Sequence, residues 1–115
     1  MKMDTQASSD IYELLSLIQC IALHRASNSG SYEVGVLLLQ KGADFQARTI
    51  DGWTPLHSAA RWNQANMACL LLACGADVNA KTNGGLTAIQ LAVNEKEYQN
   101  VISILLTVTV DKIYR

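Results

Sequence analysis

Proline and phenylalanine each occur once in this 115-residue chain, and charged residues make up only 17% of it. One Pro argues against a Pro-rich linker, and one Phe against a large aromatic core. Half the residues are hydrophobic, which excludes a wholly disordered chain of low hydrophobicity and high charge. Nine Lys and Arg against ten Asp and Glu leave a formal net charge of −1. A dominant electrostatic grip on nucleic-acid phosphates is disfavoured, because that grip needs a clustered cationic surface. No apolar run reaches the roughly 18–20 residues of a membrane span. The mostly apolar stretch from Ile11 to Leu23 is broken by Glu13 and Gln19. Asp4 and Asp10 also spoil the basic region a secretory signal needs. Cys20, Cys69 and Cys74 are an odd number and fit no disulfide framework or paired zinc spacing. Buried thiols are therefore expected.

What the chain does have is internal repetition, which takes precedence over residue-level chemistry. Residues 18–50 aligned on 51–83, an offset of 33, share 11 identities, where composition alone gives roughly two. Leu23, His24 and Ala26 meet Leu56, His57 and Ala59; Leu37 to Leu39 meet Leu70 to Leu72. Gly42-Ala43-Asp44 meets Gly75-Ala76-Asp77, and Ala47 and Thr49 meet Ala80 and Thr82. A third copy opens at Gly84 and keeps the offset through Ala92; Leu105 and Leu106 then answer Leu71 and Leu72 at an offset of 34. One inserted residue is expected in a turn around Asn94–Asn100, because within a helix it would rotate the apolar face away from the core.

Each unit reads as helix, tight turn, helix and extended loop. In the middle copy Thr54 supplies a cap hydroxyl and Pro55 sits at the first helical position, where its missing N–H is harmless. Leu56, Ala59 and Ala60 form a narrow small-residue face, and Asn63-Gln64 make the turn. Met67, Leu70 and Leu71 supply the next apolar stripe, which Gly75 ends in a left-handed conformation. Asp77 to Gly85 is long enough for a hairpin-like extension, with Gly52 or Gly85 permitting the reversal.

The strings DGWTPLHSAA (51–60) and LLLACGADVNA (70–80) resemble the ankyrin repeat family, over residues 18–106. The resemblance implies an all-α solenoid of about three helix-turn-helix units with hairpin-like loops. The units are 18–50, 51–83 and 84–115, after a divergent segment, 1–17, expected to be helical with Ser9 or Asp10 as its cap. The pattern fails at both ends. Ile21-Ala22-Leu23-His24 lacks the capping Thr and the Pro, and Thr107-Val108-Thr109-Val110-Asp111 replaces the terminating Gly-Ala-Asp. Arrays normally close with polar outer faces. Here Leu14, Leu15, Ile18, Leu106, Val108 and Val110 leave the ends apolar, which predicts marginal stability and self-association. A truncated form of a longer array, without binding activity of its own, is the alternative reading.

Stacked units present a long concave surface without a deep polar pocket, so the expected function is a scaffold for a protein partner, including a regulatory adaptor linked to transcription. A Cys/His enzyme is the competing class. It is disfavoured because no acidic orienter or oxyanion motif accompanies the thiols and histidines. His24 and His57 recur at one scaffold position, which points to a structural role, and two His are an incomplete zinc set. Gly84-Gly85 lacks the lysine and helix start of a phosphate loop. Asp44 and Asp77 are expected to organise loops, and Glu95-Lys96-Glu97 a solvated turn. No catalytic residue, cofactor, metal, membrane or direct nucleic-acid partner is expected. The location is expected to be intracellular, in cytoplasm or nucleus, with no basic import cluster to decide between them.

In the family this chain resembles, partners touch the hairpin tips and the late turn of the first helix. Carried over, those positions are Ile50, Asp51, Trp53, Asn83, Gly84 and Leu86, with Arg61, Trp62, Asn94 and Glu95 on the helices. Neither Trp has a Trp counterpart in a neighbouring unit, so the scaffold does not demand them, and Trp and Arg are interface hot-spot types. The competing reading has Trp53 covering the adjacent hairpin and Trp62 the next unit's turn. The resemblance also marks Asn79 as an acceptor of asparaginyl hydroxylation, eight residues after Leu71 and directly after Asp77-Val78, although its carboxamide is expected mainly to stabilise the loop.

Overall fold

A computed structural model describes residues 4–93 and 99–113, with side chains described over 10–93 and 99–109. Six helices follow in order: α1 Asp4–Ser29, α2 Tyr32–Gln40, α3 Pro55–Arg61, α4 Ala65–Cys74, α5 Ala88–Val93 and α6 Gln99–Ile113. Among the described residues there is no strand. The helices pair as α1–α2, α3–α4 and α5–α6, and the pairs stack through α1 on α3 on α5 and α2 on α4 on α6. The result is an all-α solenoid with extents of 59 × 27 × 27 Å.

Start and stop signals explain the helix lengths. α3 begins at Pro55 behind the Thr54 cap, and α4 ends at Gly75, whose φ of 106° is left-handed. Neither signal exists in the first unit's opening, and α1 runs for 26 residues without a break, roughly 39 Å at 1.5 Å per residue. It passes straight through Ser9 and Asp10, so the cap expected there is not one. At the other end α6 continues through Thr107–Asp111 to Ile113, because no glycine stops it. The offset of 33 holds from Pro55 to Ala88 at the starts of α3 and α5. It is 34 from the buried Met67 and Leu71 of α4 to the buried Val101 and Leu105 of α6, so one residue is inserted between Ala92 and Val101. Asn94 to Tyr98, which include the expected Glu95-Lys96-Glu97 turn, lie outside the described residues.

The core runs along the stack from Leu23 through Leu56, Ala59, Met67 and Leu71 to Ala92, Val101 and Leu105, each at most 1% exposed. Within the expected α4 stripe, Met67 and Leu71 are buried and Leu70 only partly, while Ala68 joins them. Small residues let the helices approach closely. A Cβ at buried Gly35 would lie 2.8 Å from the Met67 thioether, so α2 meets α4 there through a bare backbone. The far end of α1 has no such cover. Ile11, Tyr12, Leu14, Leu15, Leu17, Ile18 and Ile21 are all 48–69% exposed. Leu106 is 47% exposed at the other end, and the Val110 side chain lies outside the described residues.

Candidate functional site

The surface is built on a repeated clamp. In the middle unit the Thr54 N–H donates to His57 Nδ1 at 3.1 Å, and the His57 N–H reaches Thr54 Oγ1 at 3.4 Å. Two orphan donors of the helix start are satisfied reciprocally. Nδ1 is thereby an acceptor, which leaves the proton on Nε2, and Nε2–H donates to the Leu86 carbonyl of the next hairpin at 3.0 Å. Gln90 repeats the box in the third unit, accepting from Thr87 N–H at 2.9 Å. In the first unit Ile21 stands where Thr54 stands in the second. His24 keeps its loop bond, Nε2 to the Ala47 carbonyl at 3.1 Å, but its buried Nδ1 has no partner. Burial holds both imidazoles below their ordinary pKa, against the opposing pull of the Ala47 carbonyl on His24 and the Leu86 carbonyl on His57. Both histidines are accordingly neutral structural groups whose ring N–H ties a helix to a loop.

The loop aspartates act as expected. Asp44 accepts from the Gln46 N–H and Asp77 from the Asn79 N–H, both at 2.9 Å, closing equivalent Asx turns. Asn79 itself is exposed, and the loop bond there belongs to its backbone rather than its carboxamide. The thiols depart from expectation. Cys69 and Cys74 are exposed and Cys20 is intermediate. The cause is rotation: α4 turns Met67, Ala68 and Leu71 inward, so positions 69, 73 and 74 face water. Burial and the charge of Asp44 push the Cys20 pKa up, away from thiolate reactivity. Among the described residues no three His, Cys, Asp or Glu could jointly hold a metal ion, and no helix is long and apolar enough to cross a membrane.

The candidate contact residues separate into groups. Asp51, Trp53 and Trp62 line one depression of about 250 Å³ between the first hairpin and α3, together with His24, Asn28, Thr49 and Ser58. Trp62 is 50% exposed, with the Arg61 guanidinium 4.6 Å from its ring centroid. Trp53 is half-buried, its ring 6.2 Å from His57. Ile50, at the hairpin tip, is 93% exposed and does not line this depression. Asn83 holds the hairpins together: its Nδ2 donates to the Ile50 carbonyl at 2.9 Å and its N–H to the Asp51 carbonyl at 3.0 Å. Gly84 and Leu86 are exposed beside it. Asn94 and Glu95 lie outside the described residues. Asn28 and Ser58 were not singled out from sequence; their place one helix turn before Trp62 and on the neighbouring helix was the available signal.

A protein-family model described as ankyrin repeats (3 copies) matches residues 23–114.

The histidine clamp predicts a pH dependence with a definite sign. The folded pKa of His57 lies below its unfolded value of about 6.5. Its contribution to stability is then fully present above that unfolded value and is lost as pH falls toward the folded one. His57→Gln keeps the capping box, as Gln90 does, but cannot titrate. Urea unfolding between about pH 7.5 and 5.5 should destabilise the wild type more than this variant. Parallel loss in both would refute the assignment.

Proposed function

The chain belongs to the ankyrin repeat family, and on that premise we propose that it is a protein-binding scaffold whose partner docks on the middle unit. Ankyrin repeats typically mediate protein–protein contact and are not enzymes. The observation that supports this placement is the shared depression of Asp51, Trp53 and Trp62. Two indoles beside a carboxylate, one of them half in water, offer the large anchors that dominate interface energies. Ile50, Arg61, Asn83 and Leu86 are taken as further contact positions, and so are Asn94 and Glu95, which lie outside the described residues. The reading extends to a regulatory, transcription-linked adaptor of the cytoplasm or nucleus. The string GWTPLHSAARWN (52–63) with the divergent Leu105–Val110 is also similar to ankyrin repeat domain-containing protein 49.

Three experiments test these readings. Trp53→Ala combined with Trp62→Ala should keep the fold and weaken partner capture by about 2 kcal/mol or more; a folded double variant that binds as tightly as wild type would remove the site. Self-association is proposed through the exposed Ile11, Leu14, Leu15 and Ile18 of α1, whose i, i+3, i+4, i+7 spacing forms one stripe. Sedimentation should show mass rising with concentration and reverting in Ile18→Glu, whereas a concentration-independent monomer contradicts it. For Asn79, an exposed side chain on a turn is open to a modifying enzyme. Peptides spanning it should gain the mass of one oxygen in cells containing an asparaginyl hydroxylase, and an unmodified peptide there ends that proposal.

A further inference from the structure

We propose that a second cavity, between α1 and the first hairpin, receives an acidic and apolar peptide segment of the protein partner. It deepens the protein-binding reading above and rests on it. The cavity measures about 370 Å³. Leu17 and Ile21 of α1 form one wall, and Ile50 at the hairpin tip forms the other. They are 55%, 51% and 93% exposed, an apolar lining that this chain leaves in water. Arg25 and Arg48 line the same space, and no Asp or Glu does.

The two guanidinium groups are differently held. Arg48 is fixed, its Nη1 donating to the carbonyls of Gly52 at 3.3 Å and Lys81 at 2.6 Å. Both acceptors are neutral, so its charge has no counter-ion in those bonds. Arg25 is exposed, and its guanidinium makes no hydrogen bond or ion pair with the described residues. Along its own helix Ile21, Ala22, Asn28 and Ser29 are its i±3 and i±4 neighbours, none of them acidic. His24, the remaining large lining group, is neutral and already bonded to Ala47. A carboxylate entering here meets two cations in the lining, against the single charge of Asp44 acting from behind Cys20, and a bidentate Arg–carboxylate pair is the strong form of that contact.

The walls decide what carries the carboxylate. A small amphipathic acid needs a site that buries most of its surface, and these walls stay half or more exposed. A nucleic acid would need broad aromatic platforms for its bases, and no Phe, Tyr or Trp lines the cavity. A peptide displayed on a folded partner covers the exposed walls while its Asp or Glu side chains reach the guanidinium groups. The cavity also adjoins the Trp depression, because His24 and Thr49 line both. One partner segment can therefore run from Trp62 past the hairpin to Ile21.

The experiment uses the full chain and three labelled, end-capped peptides alternating leucine with glutamate, glutamine or lysine, read by fluorescence anisotropy. The glutamate peptide should bind at least about tenfold more tightly than the other two, as expected for hydrogen bonds to charged groups, and more weakly at high salt. Arg25→Gln should remove about tenfold of that affinity, and Arg25→Glu should shift preference to the lysine peptide. Arg25 makes no side-chain bond with the described residues, so its variants report binding, whereas Arg48→Gln also loosens the hairpin. Absent or equal binding of the glutamate and glutamine peptides, or no effect of Arg25→Gln, overturns the proposal. So does a dodecanoate ion that binds through Arg25 where the glutamate peptide does not. If the Trp pair governs partner capture while Arg25 is neutral, this cavity falls and the scaffold reading stands; if neither matters, the scaffold reading itself fails.

Discussion

Every α-helix begins with four backbone N–H groups that have no acceptor within the helix, and the way each unit answers that demand shapes this whole molecule. Thr54 and His57 answer it for α3, Thr87 and Gln90 for α5. The same His57 then uses its second nitrogen to hold Leu86 of the following hairpin. Starting a helix and stacking the next unit are thus one act, performed by one ring. Where the box is absent, the helix does not stop. Ile21 and Ala22 neither cap nor block α1, and its start moves back to Asp4.

The hairpin tips are tied to one another through backbone acceptors, while Val78 and Ala80 below them pack into the apolar interior. Asn83 holds the Ile50 and Asp51 carbonyls one unit away, and Arg48 holds that of Lys81 one unit away and that of Gly52 within its own hairpin. Buried or shared backbone groups are satisfied between units, so side chains such as Ile50, Asp51 and Trp53 are not needed for closure. They sit on a fixed frame with little ordering left to do on binding. Preorganisation of this kind raises affinity without enlarging the contact. The sign of the two cavities differs as well: Asp51 with indoles in one, Arg25 and Arg48 with aliphatic walls in the other. A partner docking across both would have to present an ordered pattern of charge, which is a source of specificity more than of strength.

The repeat, the caps, the Asx turns and the glycine stops were legible because each is a local signal. Thr54, Asp44, Asp77 and Gly75 act on backbone groups within a few residues of themselves. What escaped was set by rotation or by neighbours in space. The exposure of Cys69 and Cys74 depends on the angle at which α4 meets its neighbours, which the leucine run alone does not define. The part Asn83 plays in joining the hairpins was hidden because its bond partner lies 33 residues away on another hairpin. Arg25 and Arg48 escaped for a different reason. Aligning units rewards identity, while their cavity exists where the first unit departs from the pattern.

That departure also distributes stability unevenly. The middle unit has a complete box, a neighbour on each side and the most fully buried side chains, Leu56, His57, Ala59 and Met67. The first unit has His24 with a buried Nδ1 that nothing satisfies, a deficit on the order of 1–3 kcal/mol relative to a bonded nitrogen. In an array where each unit contacts only its neighbours, such a defect stays local to the α1–α3 interface. Fraying should therefore start at the exposed far end of α1 and reach the buried α3–α4 pair of the middle unit last. A partner that spans both cavities would couple the weak interface to the strong one, since binding only the folded state stabilises whatever it contacts. At position 21 the chain has Ile in place of a capping Thr, so α1 runs on through it and Ile21 lines the cavity beside the hairpin, where a bound ligand would hold helix and hairpin together.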